Sequence, residues 1–489
     1  MNRDLRPHQI KAIEMLRAAL SSGKRRPILQ MPTGAGKTLT ATAIVEGARR
    51  KGNRVVFTVP AIELVDQTVE AFGAEGIEQI GVIQADHILT DWMKPVQIAS
   101  VQTLALRKEM PAAGIVIVDE AHRSYRAIAR WMAERPDLIF IGLTATPWAR
   151  GMAKHWDALL IPTSTQALID EGYLSPFRVF GPSEPDLSKV STVAGDYHEG
   201  ELSDVMSEST LTADVVATWL QLGENRPTLC FAVDRAHARK LTDEFQRAGV
   251  ATAYVDGYTE KPERENIRRW FHDGRVKVVV NVGVLTTGID WDCRCLILAR
   301  PTKSEMLYVQ IIGRALRTAD GKSDALILDH TGTTTRLGFV TDIRHDLLDD
   351  GRPRKGGGSR DEAAPLPVKC SSCSHLKPAG VHKCPSCGFA PERQSAVETR
   401  QGSLVQMKGK KREPSRQEKQ RFYSGLLWFV ERNGYRAGWA ANNFRKKFGV
   451  WPRGMHEISA PPSADCSGWV TAQRIAFSKA RKAEERNAA

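Results

Sequence analysis

The residues best suited to chemistry lie in two short stretches about eighty positions apart. Pro32-Thr33-Gly34-Ala35-Gly36-Lys37-Thr38 follows the apolar run Ile28 to Met31 and precedes the helix-forming Leu39 to Val45. Gly34 and Gly36 let the backbone curl until successive N–H groups face one anion, and the following helix N-terminus adds partial positive charge. Lys37 would reach the outer phosphates of a nucleotide and the Thr38 hydroxyl would ligate Mg²⁺, with Thr33 and Ala35 completing the loop. Met31 stands where the strict phosphate-loop pattern has its first glycine. Downstream, Ile115-Val116-Ile117-Val118 delivers Asp119-Glu120-Ala121-His122. Asp119 at the end of a buried strand suits a carboxylate that holds Mg²⁺ through water, and Glu120 suits a base that deprotonates an attacking water. The plainer alternative is an acidic pair opening a helix, where its charge favours the N-terminal dipole.

A second kind of chemistry is written in cysteine. Cys370-x₂-Cys373-x₁₀-Cys384-x₂-Cys387 gives two CxxC pairs, each able to set two thiolates on one side of a tight turn. Four thiolates with no open position describe a structural, tetrahedral Zn²⁺ site, the rival being a redox dithiol. The other four cysteines, Cys230, Cys293, Cys295 and Cys466, read as core residues.

These groups need elements to hold them. Short runs rich in β-branched residues alternate with helix-compatible stretches over residues 1–150 and again over about 211–345, which predicts two blocks of βαβ units on parallel sheets. Residues 161–210 show little periodicity and read as a connecting region. The boundaries expected are 1–160 and 211–345 for the two lobes, 346–368 for a flexible linker around Gly356-Gly357-Gly358, and 369–391 for a zinc ribbon. A charged linker at 392–417 and a basic, aromatic-rich module at 418–489 complete the chain.

Composition excludes several classes. Of 489 residues, 42% are hydrophobic and 26% charged, as in globular proteins. No window approaches the ~18 apolar residues of a membrane span, and the N-terminal MNRDLRPHQ has no signal core, so a cytoplasmic protein without a membrane partner is expected. The net charge of +13 is unevenly spread: residues 1–350 hold 42 Lys+Arg against 45 Asp+Glu, and residues 351–489 hold 27 against 11. An excess of that kind suits a polyanionic partner such as nucleic acid, or simply a solubilising tail. In the last module Phe422, Tyr423, Trp428, Phe429, Tyr435, Trp439, Phe444, Phe448 and Trp451 interleave with basic residues. They can form a small core, stack bases, or divide between the two.

The segments MPTGAGKT, VDEAH, Leu143-Thr144-Ala145-Thr146-Pro147 and Gln310-Ile311-Ile312-Gly313-Arg314-Ala315-Leu316-Arg317 resemble, in order, motifs I, II, III and VI of superfamily 2 helicases of the DEAH type. The similarity covers about residues 3–345 and implies two RecA-like α/β lobes in tandem with an ATP site between them. By that resemblance Arg6 and Gln9 face the adenine, while His122, Thr144 and Thr146 couple the ATP site to the nucleic-acid cleft. Gln310, Arg314 and Arg317 present polar and cationic groups across the cleft, where a fixed guanidinium would stabilise charge on the transferred phosphoryl group. Asn281 to Asp290 resembles motif V, which implies that Gly288 and Asp290 approach the nucleotide and Thr286 a nucleic-acid phosphate. Thr58, Pro60, Ser100 and Thr103 similarly resemble first-lobe contacts to the sugar-phosphate backbone. Each of these positions can also be read as an ordinary strand-end turn.

Two such lobes followed by a four-cysteine ribbon resemble the bacterial RadD group. The expectation is therefore an ATP-dependent DNA helicase or translocase of recombination, repair or replication, using ATP, Mg²⁺ and structural Zn²⁺. The form of DNA, single-stranded, forked or duplex, stays open, and a single-stranded-DNA-binding protein is a partner by resemblance only. An RNA helicase and the motor subunit of a restriction nuclease are the alternatives.

Overall fold

The computed structural model describes residues 3–84, 87–181, 184–285, 291–352, 365–391, 414–436 and 438–487. These form two compact units, Met1–Arg393 and Gln394–Ala489.

The first unit opens with α1 (Pro7–Ser21), β1 (Pro27–Gln30), α2 (Lys37–Arg50), β2 (Val55–Val59), α3 (Leu64–Ala74) and β3 (Ile80–Ile83). It continues through β4 (Val96–Ser100), α4 (Val101–Ala105), β5 (Ile115–Asp119), α5 (Arg126–Glu134), β6 (Ile139–Thr144) and β7 (Ala158–Leu160). The strands make one sheet in the order β3-β4-β2-β5-β6-β1-β7, every neighbouring pair parallel. β2 and β4 are buried at every residue because helices cover both faces, which is why their sequences run apolar without alternation.

The second lobe comprises α6 (Thr165–Asp170), β8 (Phe177–Phe180), the small hairpin β9 (Thr192–Val193) and β10 (Asp196–Tyr197), α7 (Glu199–Met206) and α8 (Ser209–Leu222). Then follow β11 (Thr228–Phe231), α9 (Arg235–Arg247), β12 (Thr252–Val255), α10 (Lys261–His272), β13 (Val278–Asn281), β14 (Cys295–Leu298), α11 (Glu305–Ala315), β15 (Ala325–Asp329) and α12 (Thr333–Leu337). Its sheet is also parallel, in the order β12-β13-β11-β14-β15-β8. Residues 161–210 therefore do more than connect: β8 is the edge strand of this sheet, paired with β15 from Ala325↔Phe177 to Leu328↔Phe180. Four residues are too few to show a period, and the partner lies far downstream, so the pairing leaves no local mark.

Part of the expected linker is also seated. The Gly151 N–H donates to Asp349 Oδ1 at 2.8 Å and the Ala153 N–H to the Asp349 carbonyl at 2.9 Å. Leu348 packs on the first-lobe core, and the His345 ring lies 4.8 Å from Trp148. The chain thus returns from the second lobe to the first; residues 353–364 and 392–413 of the two expected linkers lie outside the described residues, and the ends of those linkers already enter structure, β16 starting at Val368 and α13 at Arg416.

The cysteine segment folds as β16 (Val368–Lys369) against β17 (Leu376–Lys377), antiparallel. It docks on the second lobe: the Gly181 N–H donates to the Ser374 carbonyl at 2.9 Å, Phe180 bridges to His375, and Leu376 enters the core. The ribbon covers the open edge that β8 would otherwise present to solvent.

The second unit holds α13 (Arg416–Asn433), α14 (Trp439–Phe448) and α15 (Ala464–Asn487). Ser415 and Glu418 form a reciprocal capping box at the start of α13, and Gly434 ends it at φ 64°. Phe422, Tyr423, Leu426, Phe444, Cys466 and Val470 make its core. No described helix is long and apolar enough to cross a membrane.

Candidate nucleotide site

The loop after β1 turns at Gly34 (φ 87°) and Gly36 (φ 80°) before α2 begins at Lys37. A side chain would also lack room there: a Cβ on Gly34 would sit 2.7 Å from Leu174 Cδ2, and one on Gly36 2.3 Å from Gln9 Nε2. Met31 fills the position of the missing first glycine, fully buried, with its N–H donating to the Thr144 carbonyl at 2.8 Å. That position faces the core, where an apolar side chain is favoured.

Helix α1 braces the loop. Gln9 Nε2 donates to the carbonyls of Ala35 (3.3 Å) and Gly36 (3.2 Å), and its Oε1 accepts from the Arg6 N–H (2.8 Å). The His8 ring meets the Ala35 carbonyl at 2.9 Å. Gln9 is 1% exposed, and its amide grips the loop. Arg6 lies over the Tyr173 ring, 4.7 Å from its centroid. Tyr173 carries no motif of its own and was not legible in the sequence.

Opposite the loop, β5 ends in Asp119, and Glu120 adopts φ 48°. A left-handed conformation on a residue with a Cβ costs about 1 kcal/mol and is found where surrounding structure imposes it. Here the Ala121 N–H donates to the Leu143 carbonyl (3.1 Å) and the Arg123 N–H to that of Glu120 (3.0 Å). The turn aims Glu120 at Lys37, with Nζ to Oε1 at 3.3 Å. Burial works to raise both carboxyls: it pushes Asp119 up to about 6, while at Glu120 the Lys37 and His122 charges prevail and hold it well below the carboxylate range. Asp119, half-buried and within electrostatic reach of Lys37, has the oxygen donor chemistry a divalent cation requires.

From Glu120 a polar chain runs into the second lobe. His122 Nδ1 lies 3.3 Å from Glu120 Oε2 and 2.8 Å from Thr144 Oγ1, which accepts the Thr146 N–H at 3.1 Å. Gln310 Nε2 reaches Thr146 Oγ1 at 3.3 Å and His122 Nε2 at 3.4 Å. The chain is buried throughout: His122, Thr144, Thr146 and Gln310 have little or no exposure.

Helix α11 approaches the loop closely. A Cβ on Gly313 would fall 2.6 Å from Thr33 Cβ, so only glycine permits this contact. Gln310 and Arg314 share one face of the helix, Arg314 is buried, and Leu174 bridges to Arg317 just beyond. Lys322, which no motif flagged, ties the end of the arginine segment: its Nζ donates to the carbonyls of Ala315 (2.5 Å), Arg317 (2.6 Å) and Cys293 (2.8 Å).

The nucleic-acid positions fare differently. Thr58 and Ser100 are 0% exposed and Pro60 is buried, so their side chains cannot touch a strand in this structure. Thr58 lies within a sheet covered on both faces, and the Ser100 hydroxyl is committed to capping α4, accepting the Thr103 N–H at 3.0 Å. Thr103 alone of the four is partly exposed. Thr286, Gly288 and Asp290 lie outside the described residues.

The four ribbon sulfurs all lie within 4.8 Å of one another, with Cys370–Cys387 at 3.8 Å and Cys373–Cys384 at 3.7 Å. Ligands ~2.3 Å from a tetrahedral Zn²⁺ stand about 3.8 Å apart, so the cluster fits that ion. N–H groups of Cys373 and Ser372 hold the Cys370 thiol down to about 6 and that of Phe389 lowers Cys387, whereas burial pushes Cys373 up to about 12, so the fit to the ion rests on the sulfur geometry. Burial also pushes Cys230, Cys293 and Cys295 up, which suits inert core residues.

Residues 2–149 match the family model described as type III restriction enzyme, res subunit, and residues 212–319 match helicase conserved C-terminal domain. A 51.5 kDa protein of Lactococcus phage (isolate 7-9) is 30% identical over 377 residues, covering 74% of this chain and 77% of the phage protein. A Saccharomyces cerevisiae protein named ATP-dependent helicase IRC3 is 30% identical over 365 residues, 69% of this chain and 52% of its own length. The type I restriction enzyme EcoKI endonuclease subunit of Escherichia coli (strain K12) is 26% identical over 389 residues, 64% of this chain and 33% of that subunit. The chain thus spans about half of the yeast relative and a third of the restriction subunit. Among solved structures, a fragment of an HsdR subunit of a type I restriction enzyme from Vibrio vulnificus YJ016 shares the fold, with a TM-score of 0.54 at 23% identity over 71% of this chain and 67% of that one.

Two RecA-like lobes, the ordered motifs and these matches place the chain in superfamily 2: it belongs to the helicases of that superfamily. It is accordingly a nucleic-acid-dependent ATPase.

Proposed function

We propose that this chain is a DNA motor that turns ATP hydrolysis into movement along, or remodelling of, DNA. The observation that carries the reading is the buried chain from Glu120 through His122, Thr144 and Thr146 to Gln310, which joins the hydrolytic carboxylate to the opposite lobe. In this reading the ATP phosphates lie between the 32–38 loop and α11. Lys37 neutralises the outer phosphates, and Glu120 takes a proton from the attacking water. Arg314 and Arg317 stabilise charge on the transferred group. Thr38 and Asp119 would hold Mg²⁺, which when bound neutralises phosphate charge. Loss of the outer phosphate weakens the seat of α11 on the loop, and the lobes part. Alternating phosphate-backbone contacts then advance the strand.

DNA rather than RNA is favoured by the restriction-enzyme family model and relatives, and the RadD-like order of lobes and ribbon extends the reading to recombination and repair intermediates. Steady-state ATPase activity with no nucleic acid, single-stranded, duplex or forked DNA, or RNA tests it. Stimulation by DNA alone is expected; stimulation by RNA alone overturns the choice of track. Lys37→Ala should abolish hydrolysis, and Glu120→Gln should bind ATP without turning it over. Wild-type turnover by either variant overturns the site. The second reading, a restriction motor subunit, rests on the EcoKI similarity and predicts metal-dependent DNA cleavage in the assembly that holds this chain.

A further inference from the structure

The C-terminal unit separates its aromatics in a way the sequence left open. Phe422, Tyr423 and Phe444 are buried in its core, whereas Trp451 is 42% exposed beside Val450 at 51%. Trp451 sits on a turn held in place: the Arg453 N–H donates to the Trp451 carbonyl at 2.8 Å, and Arg416 Nη2 to that of Gly454 at 3.0 Å. Gln420 grips the same loop twice, both bonds to His456 being 2.8 Å. The Arg445 guanidinium lies over the indole, 4.8 Å from its centroid. Lys446, exposed beside Arg445 in the last turn of α14, and exposed Arg453, two residues on from the indole, add further positive charge to this end of the unit.

That charge is not cancelled locally. Residues 414–477 hold ten lysines and arginines and four acidic residues. Of the four acids, Glu418 caps α13, Glu431 accepts the Ser459 hydroxyl at 2.6 Å, and Asp465 pairs with Lys447 at 3.0 Å. An exposed indole on a hydrogen-bonded loop, with one guanidinium over it and further cations close in sequence, matches what a single nucleic-acid strand offers, an unpaired base to stack and phosphates to neutralise.

We propose that Trp451, Arg445, Lys446 and Arg453 form a further, single-stranded-DNA site, built wholly from residues of the C-terminal unit. A base stacks on the indole, and the three cations take flanking phosphates. A duplex keeps its bases stacked on one another and can use only the cations.

The test measures anisotropy of a fluorescein-labelled oligo-dT and of a labelled duplex, on the full chain without ATP, across a salt series. Trp451→Ala should weaken oligo-dT binding about tenfold and Trp451→Phe should restore most of it. Combined Arg445→Gln, Lys446→Gln and Arg453→Gln should reduce the slope of log affinity against log salt by about 2. Unchanged affinity and slope in these variants, with circular dichroism showing them folded, overturns the site. A loss confined to the cation variant and equal for duplex and single strand overturns the stacked base. Because binding is read without ATP, failure here is distinct from failure of the motor reading, which is judged by DNA-stimulated hydrolysis.

Discussion

The first lobe carries loop amides, a lysine and two carboxylates at the C-terminal edge of its sheet, whereas the second brings Gln310, Arg314 and Arg317 on and just beyond a single helix. One lobe holds its charged groups by backbone turns at Gly34, Gly36 and Glu120; the other holds its own by tertiary contacts at Gly313 and Lys322. The first lobe mixes a lysine with two carboxylates whereas the second offers an amide and two guanidiniums, and neither is complete alone. Splitting a site in this way makes hydrolysis depend on lobe position, which is the requirement for a motor.

The sharpest way to break that comparison is to remove a group from the second lobe only. Arg314→Ala should lower kcat by about 100-fold or more while ATP affinity, read with a fluorescent nucleotide, changes within a few fold. A fall in kcat of less than threefold would mean that the first lobe catalyses by itself. Next, Lys322→Met frees three carbonyls beneath the arginine segment and should lower kcat about tenfold at unchanged ATP affinity. In a double-mutant cycle with Arg314→Ala the two effects should fail to add, since Lys322 acts through the arginines; additivity would make it a stability residue only.

Acid should also separate the lobes. Burial pushes His237 and His330 of the second lobe down to about 4. Their folded values lie below the unfolded 6.5, so the unfolded chain binds more protons between those limits, and stability falls as pH drops through that window. At pH 5 the loss is about 2 kcal/mol for each histidine. Asp119 has the opposite sign: burial holds it above its unfolded value, so the folded state binds the extra proton, and this group does not cost the first lobe stability as pH falls from 7 to 5. Hydrogen exchange at pH 7 and 5, without divalent cations, should show β11 and α9 losing more protection than β5 and β6. Equal losses would mean that the sheets unfold as one.

The smallest expected effect concerns the ribbon. Treating the protein with a chelator, or Cys370→Ser with Cys373→Ser, should uncover β8 and lower Tm by a few degrees, as the loss of a structural metal from the four thiolates would. Metal-free protein with an unchanged Tm would show that the ribbon does not support the sheet edge.

Much of the first lobe was legible because its chemistry is local. A strand, two glycines, Lys37 and Thr38 are adjacent in the chain, and VDEAH follows its strand directly. The alternating blocks likewise announced two parallel sheets, since strands buried on both faces leave continuous apolar runs. The contacts of Gln9 with the loop, Arg6 with Tyr173 and Lys322 with three carbonyls were not legible, because each joins residues whose proximity depends on packing. The surroundings of Thr58 and Ser100 were not legible for the same reason: a small hydroxyl suits either a phosphate or an internal cap, and their burial is a tertiary outcome.

The sequence by itself determined the two alternating α/β blocks, the order of the motifs, the four-cysteine spacing and the basic end of the chain. These are properties of residue type and short spacing, and they survive in a single dimension. Tertiary structure alone decided that β8 crosses into the second sheet, that Asp349 returns to the first lobe, and that the ribbon seals an edge. It also decided which aromatics of the last unit face inward and which face solvent. Such outcomes rest on contacts between distant residues, whose energies depend on burial and shape complementarity that no local pattern encodes.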